Sequence, residues 1–155
     1  MDQRRRKALQ TGAGLGALGA LIAAGVITPG DALAQDWKMA FETKSMQDTL
    51  KALGGTTAAD SKDITITAPD IAENGAVVPV AVASAIPKTE SISIMVEKNP
   101  SMLAASFMIP AGTDPSVGTR IKMGQTSNVF AVVKADGKFY VASKEVKVTL
   151  GGCGG

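Results

Sequence analysis

The 155-residue sequence predicts a mainly β protein, an antiparallel β-sandwich with a short N-terminal helix and a flexible Gly-Gly-Cys-Gly-Gly arm at its C terminus. Three observations support this fold class. From residue 64 onward, apolar residues recur at every second position, which is the spacing of a half-buried strand. Turn signals such as Asn74-Gly75 and Asp136-Gly137 separate about seven such runs. The last five residues, 151–155, contain one side chain and gain nothing from packing.

The N-terminal segment, residues 1–34, is predicted to be an export signal. The basic cluster Arg4–Lys7 is followed by a long uncharged stretch and by the A-x-A sequence Ala32-Leu33-Ala34, which is the order found in cleavable signals. The adjacent arginines suggest the twin-arginine route, although the residues around them depart from the usual motif. The alternative is a membrane anchor, since 23 uncharged residues are enough to span a bilayer. We expect cleavage, a mature chain starting at Gln35, and a periplasmic protein that meets the membrane only through its uncleaved signal.

Removal of the signal is expected to leave a nearly neutral domain. The whole chain has a formal net charge of +2, but the four basic and two acidic residues of 1–34 leave 12 of each sign in the rest. The excess positive charge gives no reason to expect nucleic-acid binding, because it leaves with the signal. A mature chain of 121 residues has the size of one domain. We place this domain at 35–150 and the arm at 151–155.

The first element of the domain is predicted to be a single helix over 35–53. Met46, Leu50 and Leu53 are spaced along one helical face, and Gly54-Gly55 is expected to end the helix.

The strands follow as alternating apolar runs separated by turns. Their inward residues are predicted to be Val78, Val80 and Val82, then Ile92, Ile94 and Val96, then Leu103, Ala105, Phe107 and Ile109. Pro79 within the first of these runs suggests an edge strand or a bulge, because proline cannot donate to a sheet ladder. Asp136-Gly137 predicts a tight hairpin between the last two strands.

The predicted sandwich offers no catalytic or metal-binding set of residues. The sequence has no histidine, which excludes a histidine general base, Ser-His-Asp catalysis and histidine metal ligands. Its seven methionines are scattered, which favours roles in the core over a copper site. No glycine-rich phosphate loop is present. We therefore expect a scaffold with no cofactor, no metal and no catalysis of its own.

Cys153 is the only cysteine in the chain, and glycines flank it on both sides at positions 151, 152, 154 and 155. A single cysteine forms no internal disulfide, so it is a free thiol or pairs with another molecule. A free thiol has a pKa of ~8.5, so only a small fraction of it is thiolate at neutral pH. Nothing near it in sequence activates it. We interpret Cys153 as the attachment site of a carried group, and Gly151, Gly152, Gly154 and Gly155 as the source of a thin, flexible arm that enters the active sites of partner enzymes.

Two other interpretations remain open from the residues alone. An exported structural sandwich could dimerise through a disulfide between two Cys153 thiols. Alternatively, the terminal Gly-Gly could carry sulfur as a thiocarboxylate on Gly155. Carriers of that second kind are loaded by ATP in the cytoplasm, whereas this chain is predicted to be exported.

Taken together, the signal, helix, sandwich and terminal GGCGG resemble the SoxY family, the sulfur-carrier subunits of thiosulfate-oxidising Sox systems. The strongest segments are IAENGAVVPVAV at 71–82, the run over 119–150, and the final pentapeptide. The resemblance implies an immunoglobulin-like fold and a non-catalytic protein that carries sulfur intermediates covalently on Cys153.

The resemblance also implies a set of partner proteins. A haem enzyme would join thiosulfate oxidatively to Cys153, and a dimanganese hydrolase would release the terminal sulfone group as sulfate. Where one is present, a sulfane dehydrogenase would oxidise the remaining sulfur. The carrier itself would work as a heterodimer with a second small β-sandwich subunit, SoxZ.

Overall fold

The computed structural model describes residues 37–149, which contain two short helices and nine strands. None of the described helices is long and apolar enough to cross a membrane. The predicted signal at 1–34 and the arm at 151–155 lie outside the described residues. In chain order the elements are α1 (Trp37–Glu42), α2 (Met46–Ala52), β1 (Ala59–Asp60), β2 (Ile64–Thr67), β3 (Ile71–Ala72), β4 (Val78–Ser84), β5 (Thr89–Val96), β6 (Leu103–Met108), β7 (Ser116–Ile121), β8 (Ser127–Ala135) and β9 (Lys138–Val148).

The strands form two sheets. The larger sheet has the order β1-β9-β8-β5-β6, with β3 also paired to β9, and the smaller sheet has the order β2-β4-β7. The mainly β sandwich predicted from the alternating runs is therefore confirmed. The pairing is antiparallel except at β1 and β3, which both run parallel to β9 along its outer edge. These two-residue strands lack enough alternation to be found from sequence.

Two apolar clusters hold the layers together. The first lies between the sheets and contains the predicted inward residues of β4 and β5. The second lies on the outer face of the larger sheet, where Leu50 and Leu53 of α2 pack with Met95, Val132 and Phe139. The larger sheet is therefore buried on both faces where the helices cover it. For this reason the sequence of β8 is an almost continuous apolar run and does not alternate.

The single helix predicted over 35–53 is two helices in the structure. The hydroxyl of Thr43 donates to the carbonyl oxygen of Ala40 at 2.7 Å, which competes with continuation of α1. Ser45 then adopts extended backbone and its side chain accepts a hydrogen bond from the Asp48 N–H at 3.1 Å, which caps α2. The Ser45-x-x-Asp48 spacing is a recognisable N-terminal signal that the apolar periodicity concealed. The predicted stop is confirmed, since Gly54 follows α2 with a φ of +88°.

The edge position predicted for Pro79 is correct only locally. Its strand, β4, is the central strand of the smaller sheet, with β2 and β7 on either side. However, β2 pairs only with Ala81–Ser84 of β4 and has ended before Pro79 is reached. The Ala85 N–H donates to the carbonyl oxygen of Asp63. The odd-numbered residues of β4 therefore direct their backbone N–H and C=O groups toward β2. The missing N–H of Pro79 therefore points past the end of β2, where no ladder bond is lost.

The alternation predicted for β6 is interrupted at its start. Ile94 pairs with Ala105, but the next residue, Met95, pairs with Leu103, so Ala104 is an extra residue in a β-bulge. The bulge turns Leu103 to the helix side of the sheet, while Ala105 and Phe107 face the core between the sheets. The prediction that Leu103 shares a face with Ala105 and Phe107 is therefore wrong.

Of the six described methionines, the predicted core role is confirmed for three, holds in part for Met46, which is half-buried against the helix-side cluster, and is wrong for two. Met95, Met102 and Met123 are buried. Met39 on α1 and Met108 at the end of β6 are instead among the exposed large apolar side chains. The hairpin predicted at Asp136-Gly137 is confirmed, because both residues adopt the positive φ that this turn requires.

Candidate functional site: the root of the C-terminal arm

The last strand, β9, carries the chain to the arm and is fixed at its end by β3. The backbone N–H of Lys147 donates to the carbonyl oxygen of Asp70 at 2.9 Å. Two residues later, the N–H of Thr149 donates to the carbonyl oxygen of Ala72 at 3.1 Å. These bonds hold the backbone as far as the last described residue, so the arm starts from a defined position.

The opposite side of β9 is fixed by the loop between β7 and β8. The N–H of Val148 donates to the hydroxyl of Thr126 at 3.0 Å. In the same region the N–H of Met123 donates to the carbonyl oxygen of Gly75 at 2.7 Å. A Cβ on Gly75 would lie 2.4 Å from the Met123 oxygen and 2.8 Å from Cγ1 of Val148. Only glycine fits this position without a shift of its neighbours.

A lysine on β9 also holds the β3 region. Nζ of Lys144 donates to the carbonyl oxygen of Ala68 at 2.6 Å and lies 3.0 Å from a carboxylate oxygen of Asp70. The Asp70 side chain is 88% exposed, so the charge pair itself adds little stability, roughly 0–1 kcal/mol. The bond to the Ala68 carbonyl matters more, because it ties the segment before β3 to the strand that carries the arm.

The arm residues predicted as the functional site, Cys153 with Gly151, Gly152, Gly154 and Gly155, lie outside the described residues. Their roles stay predictions. Cys153 is four residues beyond Thr149, so its Cα can reach roughly 14 Å from that residue at ~3.5 Å per extended residue. The structure therefore locates the residue from which the predicted arm continues, and chain length alone limits the distance of the Cys153 Cα from it.

Among residues 37–149, no group of three or more metal-ligating side chains lies close enough together to hold an ion. An apolar groove of about 560 Å³ lies on the outer face of the smaller sheet, and Arg120 is its charged lining residue. Residues 67–69, which form one wall of the groove, immediately precede Asp70 in the chain. The Asp70 carbonyl oxygen accepts the bond from Lys147 that holds the end of β9.

The sequence predicts the arm but gives no signal for the residues that hold its base. Asn74-Gly75 was predicted as a turn, and it is one: the Asn74 side chain accepts from the Ala76 N–H at 2.9 Å. The contact of Gly75 with Val148, some seventy residues further along the chain, leaves no local signal in the sequence. The same is true of Thr126 and Ala72, which have no special spacing relative to the terminal glycines.

Comparison with known proteins identifies the family. The chain matches the family described as Sulfur oxidation protein SoxY over residues 50–153, a range that runs from α2 to Cys153 itself. The chain belongs to the SoxY family. A solved structure of the sulfur carrier protein SoxY from Chlorobium limicola f thiosulfatophilum shares 44% identity with it, covering 66% of this chain and 96% of that one, with a TM-score of 0.59.

Other comparisons add nothing to this assignment. No curated protein matches the chain. A chain from a structure described as "Structural basis of T cell specificity and activation by the bacterial superantigen toxic shock syndrome toxin-1" is matched at 10% identity over 56% of this chain and 99% of that one, with a TM-score of 0.40. Membership of the SoxY family gives the chain a role in sulfur oxidation.

Proposed function

We propose that this SoxY-family chain carries sulfur intermediates covalently on Cys153 and presents them to partner enzymes. The observation that supports this most is the family match, which extends to the cysteine near the C terminus. The anchored end of β9 also supports it, because a carrier needs a fixed base as well as a mobile tip. The carrier is a substrate of its partners and performs no catalysis itself.

The proposed chemistry starts with an oxidative conjugation at the Cys153 sulfur. The thiolate and the outer sulfur of thiosulfate form an S–S bond, and two electrons pass to the haem enzyme. The product is a Cys153 S-thiosulfonate with one negative charge. A dimanganese hydrolase then adds water to the terminal sulfone group and breaks its bond to the neighbouring sulfur. The products are sulfate, two protons and a persulfide anion on Cys153. A sulfane dehydrogenase, where present, oxidises that remaining sulfur.

The cellular setting of the proposal is the periplasm. Export would follow the twin-arginine route directed by residues 1–34, and the mature carrier would work as a heterodimer with a SoxZ-like subunit. Twin-arginine export transports folded cargo, yet no cofactor is proposed that would require folding before export. Assembly with a partner that has no signal of its own gives a reason for that route.

Intact-mass spectrometry of the protein purified from its native compartment tests the carrier proposal. Cells grown on thiosulfate should yield chains with added masses of sulfur, sulfite or thiosulfate, and peptide fragmentation should place those masses on Cys153. Masses confined to Gly155 would instead indicate a thiocarboxylate. A clean disulfide dimer without sulfur adducts would favour the structural alternative.

A further inference from the structure

The end of β9 is joined to the β8 side of the sheet by a side chain, at a place where a regular ladder would use the backbone. The paired register of β8 and β9 ends at Ser127 and Val146, and the next rung would join Val148 to Gln125. No backbone bond between those two residues is found in the part of the chain that the structure describes. The Val148 N–H donates instead to the hydroxyl of Thr126 at 3.0 Å.

This bond is the last one that holds the main chain of β9 on its β8 side, within residues 37–149. Successive residues of a strand direct their backbone groups to opposite sides, so the N–H groups of Lys147 and Thr149 bond to the β3 side. Val148 lies between them and bonds to Thr126. Without the Thr126 hydroxyl, the hydrogen bonds at the end of β9 would all come from one side, and the strand end could rotate about that side.

The loop that carries Thr126 is itself held in place. Nδ2 of Asn99 donates to the carbonyl oxygen of Lys122 at 2.7 Å, which ties the start of the loop to the turn between β5 and β6. At its end, the Ser127 hydroxyl accepts a hydrogen bond from the Lys98 N–H at 3.1 Å. The branched side chain of threonine has a restricted χ1. The acceptor for Val148 is therefore presented from a fixed position.

We propose that Thr126 is a positioning residue, which acts through Val148 to set the direction in which the arm leaves the domain. The inference rests on the carrier function proposed for Cys153. The Cα of Cys153 lies within roughly 14 Å of Thr149 whichever way the chain continues. The direction of the chain at Thr149 therefore decides which part of that range the thiol visits.

The direction of the arm affects binding to a partner enzyme and leaves the chemistry at the sulfur unchanged. When only a fraction of the carrier molecules holds the arm in a direction that can enter the partner, the apparent affinity falls by that fraction. Once the arm has entered, the partner's own groups act on the sulfur. Loss of the Thr126 hydroxyl should therefore raise KM and leave kcat unchanged.

Thr126→Val tests the inference, because valine keeps the branched shape and removes the acceptor of the Val148 N–H. Thr126→Ser keeps the hydroxyl and should behave as the wild type does. Thr57→Val is the matched control, since Thr57 is exposed and shares a groove with Lys138, at the opposite end of β9 from the arm.

Each variant is made in the full chain, purified as the host processes it, and loaded with tetrathionate. The Cys153 thiolate attacks an inner sulfur of tetrathionate and thiosulfate leaves, so the S-thiosulfonate forms without the haem enzyme. The loading rate depends on the thiol alone and should be equal for all variants. The loaded chains are then substrates for the dimanganese hydrolase, and the sulfate released gives kcat and KM. We expect Thr126→Val to raise KM about three- to tenfold, the effect of one net hydrogen bond on an equilibrium.

Hydrogen exchange of the Val148 amide shows whether each substitution broke the bond. Its protection should be lost in Thr126→Val and kept in Thr126→Ser and Thr57→Val. An unchanged KM for Thr126→Val, with protection lost, would overturn the inference, because the bond would then hold the strand without directing the arm. Retained protection, or a fall in kcat at constant KM, would overturn it as well. A wild-type chain that takes up no sulfur, or from which the hydrolase releases no sulfate, would refute the proposed function and this role of Thr126 with it.

Discussion

Gly75 and Val148 are in contact at the base of the arm, so closely that a Cβ on Gly75 would lie 2.8 Å from Cγ1 of Val148. The same Cβ would meet the Met123 carbonyl oxygen at 2.4 Å. Gly75 is not among the residues with positive φ, so the restriction is one of space and not of backbone conformation. The turn before β4 thereby fixes the end of β9.

We predict that Gly75→Ala lowers the free energy of unfolding by about 1–3 kcal/mol, because the backbone of Met123 must move to admit the methyl group. Gly124→Ala is the matched control, since Gly124 lies one residue from Met123 and its Cβ would meet nothing within 4 Å. Urea denaturation of both variants measures the difference. Equal midpoints for the two would show that the base is loosely packed.

Cys153→Ser should abolish sulfur loading and leave stability unchanged. The reason is that the arm lies beyond the last strand, where we expect Cys153 to make no tertiary contact. Mass spectrometry measures loading, and urea denaturation measures stability. A loss of more than roughly 1 kcal/mol, large for a surface substitution, would mean that the cysteine is packed and that it does not sit on a free arm.

Replacement of Gly151, Gly152 and Gly154 together by alanine should slow sulfur transfer at the partner enzymes. Each methyl group widens the arm, and alanine also confines φ to negative values. The reaction of Cys153 with a small thiol reagent should stay at its original rate, which is the internal control. Normal turnover of the triple variant with the haem enzyme would remove the support for entry into a narrow channel.

Deletion of residues 1–34 should leave both this chain and its SoxZ-like partner in the cytoplasm, if the two are exported as one folded assembly. Cell fractionation with antibodies against each subunit measures their location. Restoring the segment to the carrier should restore both. A partner that still reached the periplasm alone would refute joint export, while the carrier assignment would be unaffected.

The sequence by itself determined the features that depend on neighbours along the chain. Alternation at every second residue identified the inward faces of β4 and β5, since side chains of a strand point to opposite faces by geometry alone. Asp136-Gly137 and Gly54 were identified because their backbone conformations favour glycine or its nearest substitutes. The terminal GGCGG is equally local, and together with the predicted signal, helix and sandwich it indicates the SoxY family.

Only the tertiary structure decided how these elements combine. The bulge that turns Leu103 away from Ala105 depends on the register with β5, and the place of Pro79 depends on where β2 ends. The contact of Gly75 with Val148 joins residues far apart in sequence, and the position of β6 at the end of the larger sheet follows from the strand order of the described residues. Each is set by pairing and packing between distant segments, which leave no periodic trace in either segment alone.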